Sequence, residues 1–403
     1  MGIKLGLVGL GAFGSVFARL FASHPLVDKF ALCDCEQSKI QAQLDDPFIK
    51  TKVSPSDCYE TLDEMCKADL DAIAIITQPW LHAPQAIKVL ESGKSVYSAV
   101  PVISLPDFNE TLDWCGKIKE AEQKSGRHYM LGETTIFRPH TMFCSRMAAE
   151  RKFGDFVYAE GEYVHDVDNA CNLREVNKYR STGKVGEQKA LFMKKYRDAG
   201  IKTSPMSYPT HSISGPMHVM QTKALKVCAF GTRNTNGDDF FATYEFSDIT
   251  ALYQLANGAS LRICEFREIG ANSIDRLESE TFRIFGKSGS FSGNTFEENG
   301  RTTVDTHHLL TSKPLIYDEM RNPLPPEVVE AYKEAYKIAG KGDFSASGHG
   351  GSHPYLVNEF VTSVAENRKS CIPLEEAAHW MAMGAAAHWS ALKDGELVTV
   401  PEI

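Results

Sequence analysis

The 403-residue chain has no uninterrupted apolar run close to the roughly 18–20 residues that a membrane-spanning helix requires. It has no excess of positive charge either, since 43 Lys and Arg stand against 52 Asp and Glu, a net charge of −9. That balance argues against nucleic acid or an anionic membrane as partner. None of its 10 cysteines forms a Cys-x-x-Cys pair. Cys33 and Cys35 lie two apart, a spacing unsuited to a disulfide within a strand. The cysteines therefore read as reduced thiols of a cytoplasmic protein. The segment Met1–Val8 leads straight into a glycine motif and lacks the apolar stretch and small-residue cleavage site of a signal peptide. What remains is globular composition, 43% hydrophobic and 24% charged, with length enough for two or three domains.

Short apolar runs alternate with helix-period stretches over the first part of the chain. Ile3–Val8, Phe30–Cys33, Ala72–Thr77, Ser95–Tyr97 and His128–Leu131 are predicted strands. This β-α-β rhythm predicts an α/β domain over residues 1–125, with a doubly wound parallel sheet. The pattern changes over residues 126–403. Phe156–Tyr163, Ala242–Phe246, Ile249–Ala256, Ser260–Glu265 and Thr281–Ile284 are strand-like with little helix between them. Asn257-Gly258 is a hairpin signal joining two of them. A mixed or antiparallel sheet with one face on helices is expected, in an α+β domain. Pro354–Asp394 reads as one long helical stretch, and Asp168–Tyr208 and Pro314–Gly351 read as irregular loops.

Gly9-Leu10-Gly11-Ala12-Phe13-Gly14 is a G-x-G-x-x-G motif between an apolar strand and a helical segment. In that context the first glycine makes a tight turn, the second lets backbone approach a pyrophosphate, and the third lets helix and strand pack closely. The helix N-terminus then faces the phosphates. Asp34 ends the second strand, where a carboxylate accepts both ribose hydroxyls and repels a 2′-phosphate. The motif thus predicts NAD as cofactor.

Past the fourth strand comes Thr77-Gln78-Pro79-Trp80-Leu81-His82-Ala83, then a helical run to Gly93. With the glycine motif, this resembles the Gfo/Idh/MocA oxidoreductase family. The resemblance implies a Rossmann domain followed by a domain with a large open, mostly antiparallel sheet, whose free face would make a homo-dimer or homo-tetramer. It implies a sugar or polyol substrate, Thr77, Pro79 and His82 bordering the cofactor, and Ser98 to Pro101, with Val100 among them, beside the nicotinamide. The family pattern has Glu-Lys-Pro after the fifth strand. Here that segment is Ala99-Val100-Pro101, and Val100 cannot move a proton. A second departure is Tyr208-Pro209-Thr210-His211, which resembles the NAD-dependent glycoside hydrolase branch of the family, as does Gly348-His349-Gly350-Gly351.

Two chemistries follow as expectations. One is an NAD-dependent sugar oxidoreductase, the reading with the broader resemblance. The other is a glycosidase that oxidises, eliminates, adds water and reduces, recycling its NAD. Both need acid–base groups, and His211 with Tyr208 beside it is the first candidate. His165-Asp166, at the end of a predicted strand, is a second. Glu133, emerging at the carboxyl end of a Rossmann strand, is a third. His349 and His353 flank a glycine turn, but no compact ligand spacing calls for a metal. Asp305-Thr306-His307-His308 reads as exposed surface, and Tyr179 and Arg180 as possible contacts for sugar hydroxyls.

Overall fold

The computed structural model describes residues 2–168, 172–269, 279–301, 308–346 and 348–403. By compactness the chain forms two units, neither contiguous in sequence. One comprises Met1–Ile103, Asp113–Arg138 and Pro323–Ala378, the other Ser104–Leu112, Pro139–Asn322 and His379–Ile403. A single cut at residue 125 follows chain order, whereas residues 323–378 come back to the unit in which the chain begins.

The first unit is built on six strands: β1 (Ile3–Val8), β2 (Val27–Cys33), β3 (Cys58–Tyr59), β4 (Ala72–Ile75), β5 (Ser95–Ala99) and β6 (Tyr129–Gly132). They lie in the order β3-β2-β1-β4-β5-β6, and every pair is parallel. β4, β5 and β6 are buried along their whole length, as a parallel sheet covered on both faces demands. That is why their sequences run apolar rather than alternating. The chain order steps from β1 to β2 and β3 on one side, then to β4 on the other. That reversal places the turn after β1 at the switch point of the sheet.

The second unit is built on nine strands: β7 (Phe156–Val164), β8 (Ala224–Thr232), β9 (Asp248–Leu255), β10 (Ser260–Phe266), β11 (Ser279–Gly286), β12 (Gly289–Ser292), β13 (Thr295–Arg301), β14 (His308–Pro314) and β15 (Val398–Thr399). Their order is β14-β13-β12-β11-β7-β10-β9-β8-β15. Only β7 and β10 pair in parallel; the others are antiparallel. Asn257-Gly258 turns β9 into β10, with Gly258 at φ +86°. β9 alternates strictly between buried and exposed residues after its first turn of pairing, so one face is covered and one is open. The open face exposes Leu252 and Phe230.

Helix Thr210–Met220 lies across β7, β10 and β11 on the covered face. It comes close because Gly161 of β7 has no side chain: a Cβ there would lie 2.0 Å from the Ser212 carbonyl oxygen. We expect Gly161→Ala to cost about 1–3 kcal/mol by overpacking. Chemical denaturation would register it, and an unchanged midpoint would mean that the helix is not seated there.

Several sequence expectations need correction. Ala242–Phe246 is not a strand; Asp239–Thr243 is a 3-10 turn, started by Asp238, whose Oδ1 accepts from Phe240 N at 2.9 Å. Phe240, Phe241 and Tyr244 then pack on one another, which their β-like composition alone does not reveal. Asp168–Tyr208 is not irregular. It carries helices Leu173–Arg180 and Gly183–Asp198, the first capped by the Asn172 side chain accepting from Glu175 N at 3.1 Å. Their apolar faces are so sparse that the helical period is hard to see. Pro314–Gly351 contains helix Pro326–Ile338. Pro354–Asp394 is two helices, His353–Ala365 and Leu374–Ala391. Between them Asn367 takes a left-handed φ of +51°, and Pro373 precedes the second helix. Residues 305–307 of the Asp-Thr-His-His segment lie outside the described residues.

Three histidines are held neutral inside the fold. Burial lowers His353 to about 3, and His379 and His388 to about 4. The unfolded chain has each near 6.5, so it takes up protons first as pH falls. Their stabilisation is therefore complete above pH 6.5 and is lost on going down from there, by about 1.4 kcal/mol per pH unit for each. Glu265, raised by burial, works in the opposite sense over the same range. We expect a net fall in stability of roughly 2 kcal/mol between pH 6.5 and 5.5, about 3 from the histidines less about 1 from Glu265. Urea midpoints at the two pH values measure this; equal midpoints would mean that the histidines are charged in the folded state.

Candidate active site

Each unit carries one part of the machinery. In the first, the chain leaves β1 through Gly9 at φ +92°, where a Cβ would sit 2.2 Å from the Ile76 carbonyl oxygen. Gly14 is just as confined, since its Cβ would lie 1.9 Å from the Gly9 carbonyl oxygen. Gly11 is the opposite case: nothing lies within 4 Å of its Cβ position. The space above Gly11 is thus a cradle that any side chain would fill. Helix Ala12–Ser23 begins there with no side chain capping its first turn, which leaves the N–H groups of Ala12 and Phe13 at the mouth of the cradle. This is the geometry of a dinucleotide pyrophosphate site.

Asp34 fastens the turn. Its Oδ2 accepts from Leu10 N at 2.7 Å and its Oδ1 from Glu36 N at 2.9 Å, with Lys39 Nζ 4.0 Å away. A carboxylate has lone pairs beyond those two bonds, so a ribose remains within its capacity. His82 is buried, with Nδ1 2.8 Å from the Pro101 carbonyl oxygen and Nε2 3.2 Å from that of Thr77. It ties the segment after β4 to the segment after β5. Pro79 starts a short turn before it, and the Thr77 hydroxyl donates to Gln85 Oε1 at 2.6 Å. Ser98 and Val100 are buried, and the Val100–Pro101 peptide is cis. Glu133 caps the turn after β6, its Oε1 accepting from Thr135 N at 3.0 Å, and it is fully buried. His349 and His353 pack edge-on to Phe13, ring centroids 5.5 and 5.4 Å away. His349 Nδ1 lies 3.1 Å from His353 Nε2, so the two imidazoles are hydrogen-bonded to each other.

In the second unit the covered sheet face changes from apolar to polar along its strands. β7 presents Ala159, Gly161, Tyr163 and then His165; β10 presents Leu261, Ile263, Glu265 and then Arg267. Tyr163 stands in register with Glu265 on one side and Glu280 of β11 on the other. His211, in the first turn of helix Thr210–Met220, comes down over this row. Its ring is 4.7 Å from that of Tyr163 and 5.4 Å from that of Tyr208, and its Nδ1 is 3.6 Å from Glu280 Oε1. His211 and Glu280 are only 6% and 2% exposed at their side chains, so the carboxylate acts on the imidazole with little screening. The Tyr163 hydroxyl lies 2.7 Å from His165 Nδ1. His165 is thus partnered by Tyr163, while the neighbouring Asp166 accepts from Asp168 N at 2.8 Å and shapes the turn.

The structure therefore groups His211, Tyr208 and His165, and adds Tyr163, Glu280, Glu265 and Arg267. The added residues read in sequence as ordinary polar members of strands. The usable signal is a charged or phenolic residue on the alternation phase that faces the core. Tyr179 sits on an exposed helix surface.

A doubly wound parallel sheet with this glycine cradle at its switch point defines a dinucleotide-binding enzyme. Residues 3–133 match the model of an oxidoreductase family with an NAD-binding Rossmann fold. A glycosyl hydrolase family 109 protein from Stenotrophomonas maltophilia (strain K279a) is 23% identical over 434 aligned residues, 99% of this chain and 88% of its own length. Among solved structures, a levoglucosan dehydrogenase in complex with NADH superposes with a TM-score of 0.70 at 15% identity, covering all of both chains. Scyllo-inositol dehydrogenase from Lactobacillus casei, with bound NAD(H) and scyllo-inositol, gives a TM-score of 0.66 at 17% identity over 99% of each chain. The chain is an NAD-dependent enzyme, with NAD as its cofactor.

Proposed function

We propose that this enzyme is a glycoside hydrolase that retains NAD and uses it catalytically. The observation that carries the reading is the cluster of His211, Tyr208, Tyr163 and Glu280, an acid–base set on one sheet face. Val100, aliphatic where the family pattern has a proton-carrying Lys, supports it, as does the full-length similarity to a glycosyl hydrolase. NAD, when bound, supplies reversible removal of hydride from a substrate carbon, and its return leaves no net redox change.

Gly9, Gly11, Ala12, Phe13, Gly14 and Asp34 would hold the dinucleotide, with Thr77, Pro79, His82, Ser98 and Val100 bordering it. His211 takes the proton of the reacting hydroxyl, and Glu280 beside Nδ1 stabilises the imidazolium so formed. The C–H bond adjacent to the oxidised carbon is then acidic, and Tyr163, with His165 at its hydroxyl, is placed to remove that proton. The glycosidic oxygen departs with its electron pair and takes up a proton. Water adds at the vacated carbon as hydroxide, its proton replacing the one taken by the leaving oxygen, Tyr163 gives a proton back to the adjacent carbon, and His211 returns its proton to the hydroxyl. Glu133 is assigned a substrate contact, and Asp166 the loop after β7. The open sheet face with Leu252 and Phe230 would join copies into a dimer or tetramer. The nine described cysteines are free thiols and no described helix is long and apolar enough to cross a membrane, in keeping with a cytoplasmic enzyme.

Net oxidation of a free sugar is the second reading, favoured by the dehydrogenase neighbours. A panel of nitrophenyl glycosides separates the two. With purified enzyme and no added cofactor, nitrophenol is expected without NADH accumulation. NADH formation from free sugars, with every glycoside inert, would establish the second reading instead.

A further inference from the structure

Glu265 and Arg267 form an ion pair inside the second unit. Arg267 Nη2 donates to Glu265 Oε2 at 2.8 Å, with side chains 4% and 0% exposed. Arg267 Nη1 donates to the Phe266 carbonyl oxygen at 3.0 Å. A pair buried this deeply gains little stability over well-packed apolar residues, because both charges give up their hydration. Its location offers another reason for its presence, since each end touches one part of the acid–base cluster. Glu265 Oε1 accepts from Ser212 Oγ at 2.5 Å, and Ser212 follows His211 in the helix. The Arg267 guanidinium carbon lies 5.0 Å from the centroid of the Tyr163 ring.

We propose that Arg267 and Glu265 are positioning residues, in which Arg267 holds a positive charge against the Tyr163 ring and biases its phenol toward phenolate, while Glu265 fixes both that guanidinium and the first turn of the His211 helix. The proposal rests on the reading of Tyr163 and His211 as the acid–base groups. The charged and titratable groups around Tyr163 are His165 on its own strand, His211 on the helix, Glu265 and Arg267 on β10, and Glu280 on β11. Glu280, in register with Tyr163, opposes its ionisation, and Arg267 is the cation set against it. Burial raises Glu265 well above the usual carboxylate range, which leaves the charge of Arg267 less compensated near neutral pH.

The test uses the NAD-loaded enzyme and the double variant Glu265→Leu with Arg267→Met, which removes both charges and leaves neither one buried alone. Phenolate absorbance is followed against pH. The chain has 14 tyrosines, so Tyr163→Phe supplies the difference that assigns the signal. In the double variant the Tyr163 midpoint is expected to rise by about one pH unit, with the rising, acid-side limb of the rate profile moving alike. Turnover should fall on the order of tenfold while the unfolding temperature holds. An unmoved midpoint and rate profile would make the pair merely structural and overturn the proposal. If the double variant does not fold, Arg267→Lys reads the same point. Loss of the planar guanidinium should raise the midpoint by roughly half a unit, and an unchanged midpoint again overturns it. The tyrosine titration needs no glycoside. A wild-type enzyme that cleaves none, with the midpoint shift intact, would therefore fault the proposed function and leave the role of Arg267 standing.

Discussion

His211→Ala should lower glycoside turnover by a factor on the order of 10²–10⁴, the usual contribution of a positioned general acid–base group, with NAD retention unchanged. The loss is expected in the chemical step because His211 sits where three influences converge. Glu280 at Nδ1 favours the protonated ring, Tyr163 and Tyr208 confine it from two sides, and the helix start fixes its direction. His165, the other imidazole beside Tyr163, has its Nδ1 at the Tyr163 hydroxyl. Turnover in His211→Ala close to wild type would remove His211 from the mechanism. Measuring NAD content of the purified variant alongside the rate keeps a folding defect from being mistaken for a chemical one.

Gly14→Ala should abolish NAD retention. The added methyl would lie 1.9 Å from the Gly9 carbonyl oxygen, a backbone atom that cannot swing away as a side-chain end can. Either the helix tilts off β1 or the Gly9 turn opens, and each disperses the N–H groups that face the pyrophosphate. Binding weaker by two orders of magnitude is expected, about 2.7 kcal/mol. Gly116→Ala serves as the control, because nothing lies within 4 Å of that Cβ position. It should leave NAD binding alone and add helix propensity of about 1 kcal/mol. Equal dinucleotide content in wild type and Gly14→Ala would contradict the close-packing argument.

The dinucleotide half of the enzyme is legible because its physics is local. Gly9, Gly11 and Gly14 act within one turn, and strand, glycines and helix follow one another in the chain. The parallel strands are legible for a related reason: burial on both faces makes them continuously apolar, as in Ala72–Ile75. The proposed acid–base half is assembled from β7, β10, β11 and a helix far apart in sequence, so only its Tyr-Pro-Thr-His segment stands out. Tyr163, Glu265 and Glu280 look like ordinary polar residues of half-buried strands until register sets them side by side. Arg267 follows Glu265 at the spacing of one strand face, and that spacing is the trace a sequence can carry of a buried ion pair. The helices within Asp168–Tyr208 leave little trace in the sequence for the opposite reason. Leu173–Arg180 buries none of its residues, so no apolar stripe marks it.

The proposed function requires the glycosidic bond to break by elimination next to a transiently oxidised carbon. The most direct measurement is the mass of the released sugar when the enzyme turns over a cleavable glycoside in deuterated water. One carbon-bound solvent deuterium per product molecule is expected, at the carbon adjacent to the one oxidised, without NADH accumulation. Product with no carbon-bound deuterium, formed by an enzyme that keeps cleaving the glycoside, would contradict it.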